Sequence, residues 1–207
     1  MVPVIYYATG NKFKIDQRIQ IVQERSWQIE VVKGVEVGRR ASMMKTIEEV
    51  VSLKWQIAAR GRNKGQILMC DGIDITVGEN EPFFRQYYEG KSQEDFVGEL
   101  FKMMPEKLPE WPKVILKSVV AIGVVGRPLG LFVGLLEGNL FFRPKINWNE
   151  SLPPIVPYVY VMYWQMMLSE VYGMEIESRR RYVTHDHNTL VQAMDWVEES
   201  TLVNSKS

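Results

Sequence analysis

The sequence predicts a single α/β domain: a mixed, largely parallel sheet flanked by helices, with a long β-hairpin lobe and a cleft between the lobes. Two observations point to this class. Residues 2–72 alternate between β-rich apolar runs and segments whose apolar residues recur at helical spacing. Further along, two long β-rich runs, 113–125 and 129–136, are joined at Gly126-Arg127-Pro128, which is typical of a hairpin.

Composition excludes several classes of protein. The 207 residues are 46% hydrophobic and 24% charged, which is ordinary for a globular chain and argues against disorder. Lys plus Arg and Asp plus Glu are equal at 25 each, so no overall field favours a nucleic acid polymer or a membrane surface. A lone cysteine, Cys70, excludes an internal disulfide and a Cys-rich zinc site, and we expect a cytoplasmic protein. The apolar stretch Ile155–Leu168, at about 14 residues, is too short to cross a bilayer.

The first half of the chain alternates strands and helices. We expect strands over Val2–Ala8, Trp27–Val32 and Ile67–Met69, and helices over Lys12–Arg25 and Met43–Ala59. The third strand is expected to stop at Asp71-Gly72, because Asp-Gly is a common turn pair.

The second half is β-rich around the hairpin. The expected elements are a helix over Phe96–Met104, hairpin strands over Lys113–Val125 and Leu129–Leu136, a strand over Asn139–Phe142, a surface loop over 144–157, a strand passing into a helix over Tyr158–Tyr172, and a helix over Asn188–Glu198. We assign residues 1–199 to the domain and 200–207 to a polar C-terminal tail.

The segment Thr9-Gly10-Asn11 lies where the first strand ends and a helix begins. Backbone N–H groups at a helix start attract anions, and Gly10 allows a close approach. Lys14 follows within the first helical turn and can direct its ammonium to the same point. The segment therefore has the features of a phosphate-binding turn, which we call the phosphate cradle. The alternative is a plain strand-to-helix turn in which Asn11 only caps the helix.

Three further groups carry candidate chemistry. Glu49 and Lys54 lie on the second helix, where a solvated face is the alternative. Asp71 follows a strand, where a carboxylate can bind Mg²⁺ or orient water, or only form a turn. The run Arg179-Arg180-Arg181, followed by Thr184-His185-Asp186, suits phosphate or base contacts, or a solvated basic turn.

Taken together, these motifs resemble the inosine triphosphate pyrophosphatases, which remove non-standard purine nucleotides. Thr9-Gly10-Asn11-x-x-Lys14 is similar to the nucleotide-binding opening of that family. The family then has a helix with Glu, Asn-Ala, and Lys five residues after the Glu. Glu49 and Lys54 keep this spacing, with Val50-Val51 in place of Asn-Ala.

The later motifs match in part. The family has a strand ending in two acids, and here Cys70 replaces the first acid while Asp71 keeps the second, which resembles the catalytic carboxylate. The C-terminal Lys-Asn-x-x-Ser-His-Arg motif corresponds to Arg180, Thr184 and His185 at its first, fifth and sixth positions.

Two departures concern base recognition. Asp186 replaces an arginine that would face the base, which exchanges a hydrogen-bond donor for an acceptor. The family's Gly-Phe-Gly-Tyr-Asp-Pro segment is not visible, and Pro157-Tyr158-Val159-Tyr160 lies in the corresponding stretch.

The resemblance implies hydrolysis of a nucleoside triphosphate, with Mg²⁺, to a monophosphate and pyrophosphate by a homodimer. The implied roles are triphosphate binding by Thr9, Asn11, Lys14, Lys54 and Arg180, base binding by Thr184, His185 and Asp186, metal binding by Glu36 and Asp71, and catalysis by Asp71 with Lys54. Glu49 is the alternative to Glu36. A relative that binds nucleotides but hydrolyses them poorly, and an unrelated α/β protein, are the competing hypotheses.

Overall fold

The structure, a computed structural model, describes residues 2–33, 35, 44, 46–77, 95, 112–140, 159–174, 178 and 185–203, without the side chains of 12, 13, 185–187 and 201–203. Its elements are β1 (Val4–Ala8), α1 (Lys12–Glu24), β2 (Gln28–Val32), α2 (Ile47–Ala59), β3 (Ile67–Val77), β4 (Lys113–Val124), β5 (Leu129–Leu140), β6 (Val159–Val161), β7 (Met166–Met167), α3 (Leu168–Gly173) and α4 (His185–Val203). Within this part of the chain, none of the helices combines the length and apolar character needed to cross a membrane.

The strands form one sheet in the order β2-β1-β3-β4-β5-β6-β7. β1 pairs in parallel with both β2 and β3, whereas β6 pairs antiparallel with both β5 and β7. The expected class, a mixed sheet flanked by helices, is confirmed. Parallel neighbours of β1 require crossover connections, and α1 and α2 lie in those connections.

The chain divides into two compact units. The first comprises Met1–Ile73, Ser118–Gly134 and His185–Ser207, and the second comprises Asp74–Lys117 and Leu135–Thr184. The expected cleft between two lobes stays a prediction. Every contact of the candidate site described below lies within the first unit.

Two apolar clusters in the first unit lie on opposite faces of the sheet. One contains Ile5, Met69 and side chains of α1 and α4, such as Val22 and Leu190. The other contains Leu68 and Cys70 with side chains of α2, such as Trp55. The Trp55 indole Nε1 also donates a hydrogen bond of 2.8 Å to the Leu68 carbonyl. Successive residues of β3 therefore project alternately toward α1 and toward α2.

The expectation that the third strand stops at Asp71-Gly72 is wrong, because β3 continues to Val77. A Cβ added to Gly72 would lie 2.6 Å from Val51 Cγ2 and 2.7 Å from Ile47 Cδ1. The glycine thus allows α2 to approach the strand closely and does not form a turn.

The hairpin is confirmed, with β4 and β5 joined across Gly126, whose φ is +91°. Asn139 and Leu140 belong to β5 and do not begin the separate strand expected over Asn139–Phe142. A Cβ at Gly138 would meet the Tyr160 carbonyl oxygen at 2.9 Å, so this glycine lets β6 lie close to β5.

The C-terminal elements differ in detail from the expectation. The Tyr158–Tyr172 segment contains two short strands, β6 and β7, before α3. The turn between them places Gln165 at a φ of 53°, which a periodicity argument does not detect. α4 runs to Val203 and so includes the first residues assigned to the tail. The helix expected over Phe96–Met104 lies outside the described residues.

Candidate functional site

The turn before α1 is held by local hydrogen bonds. Asn11 caps α1, since its Oδ1 accepts a bond of 3.3 Å from the Lys14 backbone N–H. The Asn11 N–H in turn donates to Thr9 Oγ1 at 3.2 Å. A Cβ at Gly10 would meet nothing within 4 Å. Asn11 therefore caps the helix, the space beside Gly10 is open among the described residues, and the phosphate cradle stays a prediction.

Lys14 and Arg18 reach Asp71 from one face of α1. The Lys14 Nζ lies 2.9 Å from Asp71 Oδ1, and an Arg18 terminal nitrogen lies 3.2 Å from Asp71 Oδ2. Residues four apart on a helix lie on the same face, which is why both cations meet one carboxylate. The Asp71 and Arg18 side chains are only 2% exposed, whereas that of Lys14 is 18% exposed.

A third donor comes from β1, where Tyr7 Oη donates to Asp71 Oδ2 at 2.8 Å. Burial raises the pKa of Asp71, but Lys14, Arg18 and the hydrogen bond from Tyr7 outweigh burial, so the net shift of that pKa is downward. Burial, together with the Asp71 charge, raises the pKa of the Tyr7 phenol well above its usual value. The site therefore contains an ionised carboxylate and a neutral phenol at neutral pH.

Cys70 projects to the opposite face of β3, among the side chains that α2 contributes. Burial, and to a lesser extent the neighbouring Asp71 charge, raise the pKa of its thiol to about 12, although Lys54 acts to lower it. Lys54 thus exerts its influence on the α2 face, while Lys14 and Arg18 contact Asp71 on the α1 face. The structure therefore brings together Lys14 and Asp71, two of the predicted site residues.

Glu49 has a structural role at the start of α2. The Thr46 N–H donates to Glu49 Oε2 at 3.2 Å, and the Glu49 N–H donates to Thr46 Oγ1 at the same distance. This reciprocal pair is a capping box. It occupies one carboxylate oxygen of Glu49, the residue predicted from the sequence as the alternative to Glu36 for binding the metal.

The remaining predicted site residues are not described. Glu36, Arg180 and Thr184 lie outside the described residues, and so do the side chains of His185 and Asp186 at the start of α4. Among the residues that the structure describes, no group of three or more His, Cys, Asp or Glu side chains could hold a metal ion.

Tyr7 and Arg18 are the two site residues that the sequence reasoning missed. Both sit in patterns that indicate core positions, because Tyr7 lies in a buried strand and Arg18 is three residues after Ile15 and four before Val22. A charged residue on the apolar stripe of a helix was the available signal, since such a side chain needs a buried partner.

The arrangement can bind an anion beside an ionised carboxylate. The first N–H groups of α1 and the partly exposed Lys14 provide positive potential, and the Asp71 carboxylate lies next to that lysine. A phosphate group and a water molecule are the ligands that suit this combination.

Comparisons with known proteins agree with this fold. No protein-family model and no curated protein matches the sequence. The chain is similar in structure to the Ham1 protein of Staphylococcus aureus, with a TM-score of 0.68, 18% identity, and coverage of 95% of this chain and 99% of that one. It is also similar to a HAM1 protein from Coxiella burnetii, with a TM-score of 0.67, 14% identity and full coverage of both chains.

A third similar structure is described as a nucleoside-triphosphatase, dITP/XTP pyrophosphatase, from Mycobacterium abscessus. Its TM-score is 0.60 at 13% identity, with coverage of 86% of this chain and 90% of that one. The likeness extends over nearly the whole chain, and the resemblance found in the sequence is confirmed at the level of the fold.

Proposed function

Starting from the fold of the Ham1 proteins, we propose that this chain hydrolyses nucleoside triphosphates, including non-standard purine nucleotides, to a nucleoside monophosphate and pyrophosphate. The observation that carries the proposal is the contact between Lys14, at the N-terminus of α1, and the ionised Asp71 of β3. Helix N-termini and ammonium groups bind phosphates, and a carboxylate beside them can direct a water molecule.

The proposed roles are those that the sequence motifs imply. The residues proposed to bind the triphosphate are Thr9, Asn11, Lys14, Lys54 and Arg180. The residues proposed to contact the base are Thr184, His185 and Asp186. Asp71 orients the attacking water, whose oxygen bonds to phosphorus as the bridging P–O bond breaks and pyrophosphate leaves. Since the pKa of Asp71 is lowered, this carboxylate is a weak base, and orientation suits it better than proton abstraction.

Magnesium is expected to arrive with the triphosphate, whose charge it would neutralise and whose phosphate oxygens it would polarise. Glu36 and Asp71 are the residues proposed to hold it. Asp71 Oδ2 already accepts from Tyr7 and Arg18, so Oδ1 is the oxygen that a metal ion or water can contact once Lys14 moves.

Pyrophosphate release tests the proposal directly. We expect the wild-type chain with Mg²⁺ to release pyrophosphate from at least one of inosine, xanthosine, adenosine, guanosine, cytidine or uridine triphosphate. Lys14→Met should raise KM about ten- to a hundredfold, the worth of one hydrogen bond to a charged group. Asp71→Asn should abolish turnover but retain nucleotide binding, and wild-type-like turnover in this variant would remove Asp71 from the mechanism.

Arg25→Met is the matched control for these variants. Arg25 follows the last residue of α1 and pairs with Asp195 and Glu198, away from the Asp71 site. We expect the Arg25→Met variant to hydrolyse nucleotides at the wild-type rate. The comparison separates the effect of losing any cation near α1 from the effect of losing a cation that contacts Asp71.

A second candidate function is a nucleotide-binding protein with impaired hydrolysis or altered base specificity. Cys70 favours it, because a thiol with a pKa of about 12 stays neutral and cannot replace the acid that the related family has at this position. No pyrophosphate release with any nucleotide, combined with a nucleotide-dependent rise in Tm, would select this function.

We also propose that the protein is cytoplasmic and forms a homodimer, with no nucleic acid polymer or membrane as a partner. Sedimentation equilibrium tests the dimer, and a monomer at micromolar concentration would contradict it.

A further inference from the structure

We propose that the turn after α2 and the turn of the β4–β5 hairpin together form a surface that binds an acidic peptide segment of a partner protein. This basic surface consists of Arg60, Arg62, Lys64 and Arg127. None of these four cations has a part in the proposed nucleotide site, so the basic surface is a separate place of binding.

Both turns lie in stretches of sequence without acidic residues. No Asp or Glu occurs between Glu49 and Asp71, or between Glu110 and Glu137. The chain as a whole has 25 acidic and 25 basic residues, so this separation of charge is local. A local excess of positive charge attracts an anionic partner even when the net charge of the protein is zero.

Backbone hydrogen bonds join the two turns. The Gly65 N–H donates to the Val125 carbonyl oxygen at 3.0 Å, and the Val125 N–H donates to the Gln66 carbonyl oxygen at 2.8 Å. Both turns belong to the first of the two compact units. Residues 60–66 and 125–128 therefore form one continuous surface.

Two of the four cationic side chains are placed by a neighbour. A Cβ added to Gly126 would lie 3.3 Å from Lys64 Cγ, so the lysine stem lies against the hairpin turn just before Arg127. The Arg62 guanidinium carbon lies 4.9 Å from the centre of the Tyr6 ring, a cation–π contact. Stems that already rest on the protein lose less conformational freedom when the charged groups bind a partner.

The charges of the basic surface are not neutralised within the described part of the chain. Arg60, Lys64 and Arg127 are exposed, and Arg62 is half-buried. Among the described residues, no carboxylate forms an ion pair with any of the four, including Glu30 of the edge strand β2. An acidic segment would therefore gain charge contacts without breaking an existing ion pair.

The form of the basic surface favours an extended peptide. Gly61, Gly65 and Gly126 are exposed between the cations, and a Cβ at Gly61 or Gly65 would meet nothing within 4 Å, so the surface is open among the described residues. Single-stranded nucleic acids stack their bases on exposed aromatic rings, whereas the Tyr6 ring has Arg62 over its face. Protein–duplex complexes commonly involve about 6–10 phosphate contacts, which four cations do not supply.

The basic surface and the phosphate cradle lie at opposite ends of parallel strands. The cradle follows the end of β1, whereas residues 60–66 precede the start of β3, which runs parallel to β1. From Gln66 to Asp71 the strand extends about 17 Å, at about 3.3 Å per residue. This is roughly twice the Debye length of about 8 Å at physiological ionic strength, so a peptide on the basic surface leaves the cradle free for a nucleotide.

Fluorescence anisotropy with a labelled poly-glutamate decapeptide tests the proposal. We expect saturable binding by the wild type, with affinity that falls as the salt concentration rises. The triple variant R60Q/K64Q/R127Q should bind about ten- to a hundredfold more weakly, because each exposed ion pair contributes about two- to fivefold. These side chains are exposed, so the Tm of the variant should equal that of the wild type.

Lys113→Gln is the matched control for the triple variant. Lys113 is an exposed cation that pairs with Glu137 at 2.8 Å and lies in the second unit. Its replacement should leave the affinity for poly-glutamate unchanged. An equal loss of affinity in K113Q and in the triple variant would show that the peptide binds to any cation of the chain, and would overturn the proposal.

Amide NMR shifts locate the bound peptide. We expect poly-glutamate to shift the ¹H–¹⁵N signals of Gly61, Gly65 and Gly126 and to leave that of Gly10, in the phosphate cradle, in place. Shifts centred on Gly10 and absent from the other three glycines would overturn the proposal, because the peptide would then occupy the phosphate cradle.

Two further results would also contradict the acidic peptide as the partner. One is equal affinity for poly-glutamate in the wild type and the triple variant. The other is tighter binding of a single-stranded or duplex oligonucleotide than of the peptide, lost in the triple variant, which would assign the basic surface to nucleic acid. Peptide binding that is lost in the triple variant at an unchanged Tm, with no tighter oligonucleotide binding, supports the proposal.

Discussion

The Lys14 ammonium nitrogen lies 2.9 Å from Oδ1 of Asp71, which joins the first turn of α1 to the middle of β3. Arg18 and Tyr7 bind the other oxygen of the same carboxylate. A buried charge is tolerated in a protein interior only when it is paired and hydrogen-bonded, and Asp71 meets both conditions. The contact therefore has consequences for stability as well as for the proposed chemistry.

Replacing Asp71 by Asn should destabilise the protein by roughly 3–5 kcal/mol at neutral pH, because it leaves buried cations without their carboxylate. Contacts in the fold lower the pKa of Asp71 below its ordinary value of 3.8. The stabilisation is thus fully present above the unfolded-state pKa and is lost as the pH falls through the lower folded-state pKa. Urea unfolding between pH 7 and pH 2 measures it.

The difference between wild type and Asp71→Asn should stay constant from neutral pH down to about pH 4 and shrink below it. Arg25→Met provides the comparison for loss of a partly exposed pair, worth about 0–1 kcal/mol. A gap between wild type and D71N that does not change with pH would contradict the ion-pair account.

Cys70 should be inert toward alkylating reagents in the native protein. Its thiol is buried and its pKa is raised to about 12, so almost no thiolate forms at pH 8. We expect iodoacetamide to modify Cys70 only after unfolding in guanidinium chloride, as measured by intact mass. Rapid modification of the folded chain would show that α2 opens away from β3.

Gly72→Ala should destabilise the protein by about 1–3 kcal/mol, because its Cβ would overlap Val51 and Ile47 of α2. Gly61→Ala is the matched control, since a Cβ there meets nothing within 4 Å. Thermal unfolding of the two variants gives the comparison. Equal Tm values would mean that α2 does not lie as close to β3 as the structure has it.

Glu49→Gln separates capping from metal binding. Glutamine can still accept from the Thr46 N–H, so the capping box and the stability should be kept. Thr46→Ala removes the cap itself and should cost about 1 kcal/mol. We expect E49Q to hydrolyse nucleotides like the wild type, because Glu36 is the proposed ligand. A large loss of turnover at unchanged stability would instead assign the metal to Glu49.

Much of the architecture is predictable from periodicity. The alternation of β-rich and helical segments places β1, α1, β2 and α2 within a few residues of their observed bounds. Each of these elements is defined by local signals, such as the Asn11 cap and the helical spacing of Ile15, Ile19 and Val22. The hairpin was likewise predictable from two β-rich runs around Gly126.

The errors arise where tertiary contacts override a local signal. Asp71-Gly72 is a turn pair by composition, but the ion pairs satisfy the aspartate and the closeness of α2 requires the glycine, so β3 continues. The site residues divide in the same way, into those that a local motif indicates and those whose role depends on tertiary contacts. Lys14 and Asp71 belong to recognisable motifs, whereas Tyr7 and Arg18 occupy core positions whose role depends on a partner more than 50 residues away.

Side chains along β3 alternate between the α1 face and the α2 face of the sheet, so each residue's environment depends on whether its position in the strand is odd or even. Residues 70 and 71 are adjacent, yet one meets the apolar side chains of α2 and the other meets the cations of α1. Deleting a single residue between Ile67 and Cys70 would reverse the faces to which both side chains project, burying a carboxylate among the apolar side chains of α2 and turning the thiol toward the α1 face. Length variation at this end of the strand should therefore be tolerated only in steps of two.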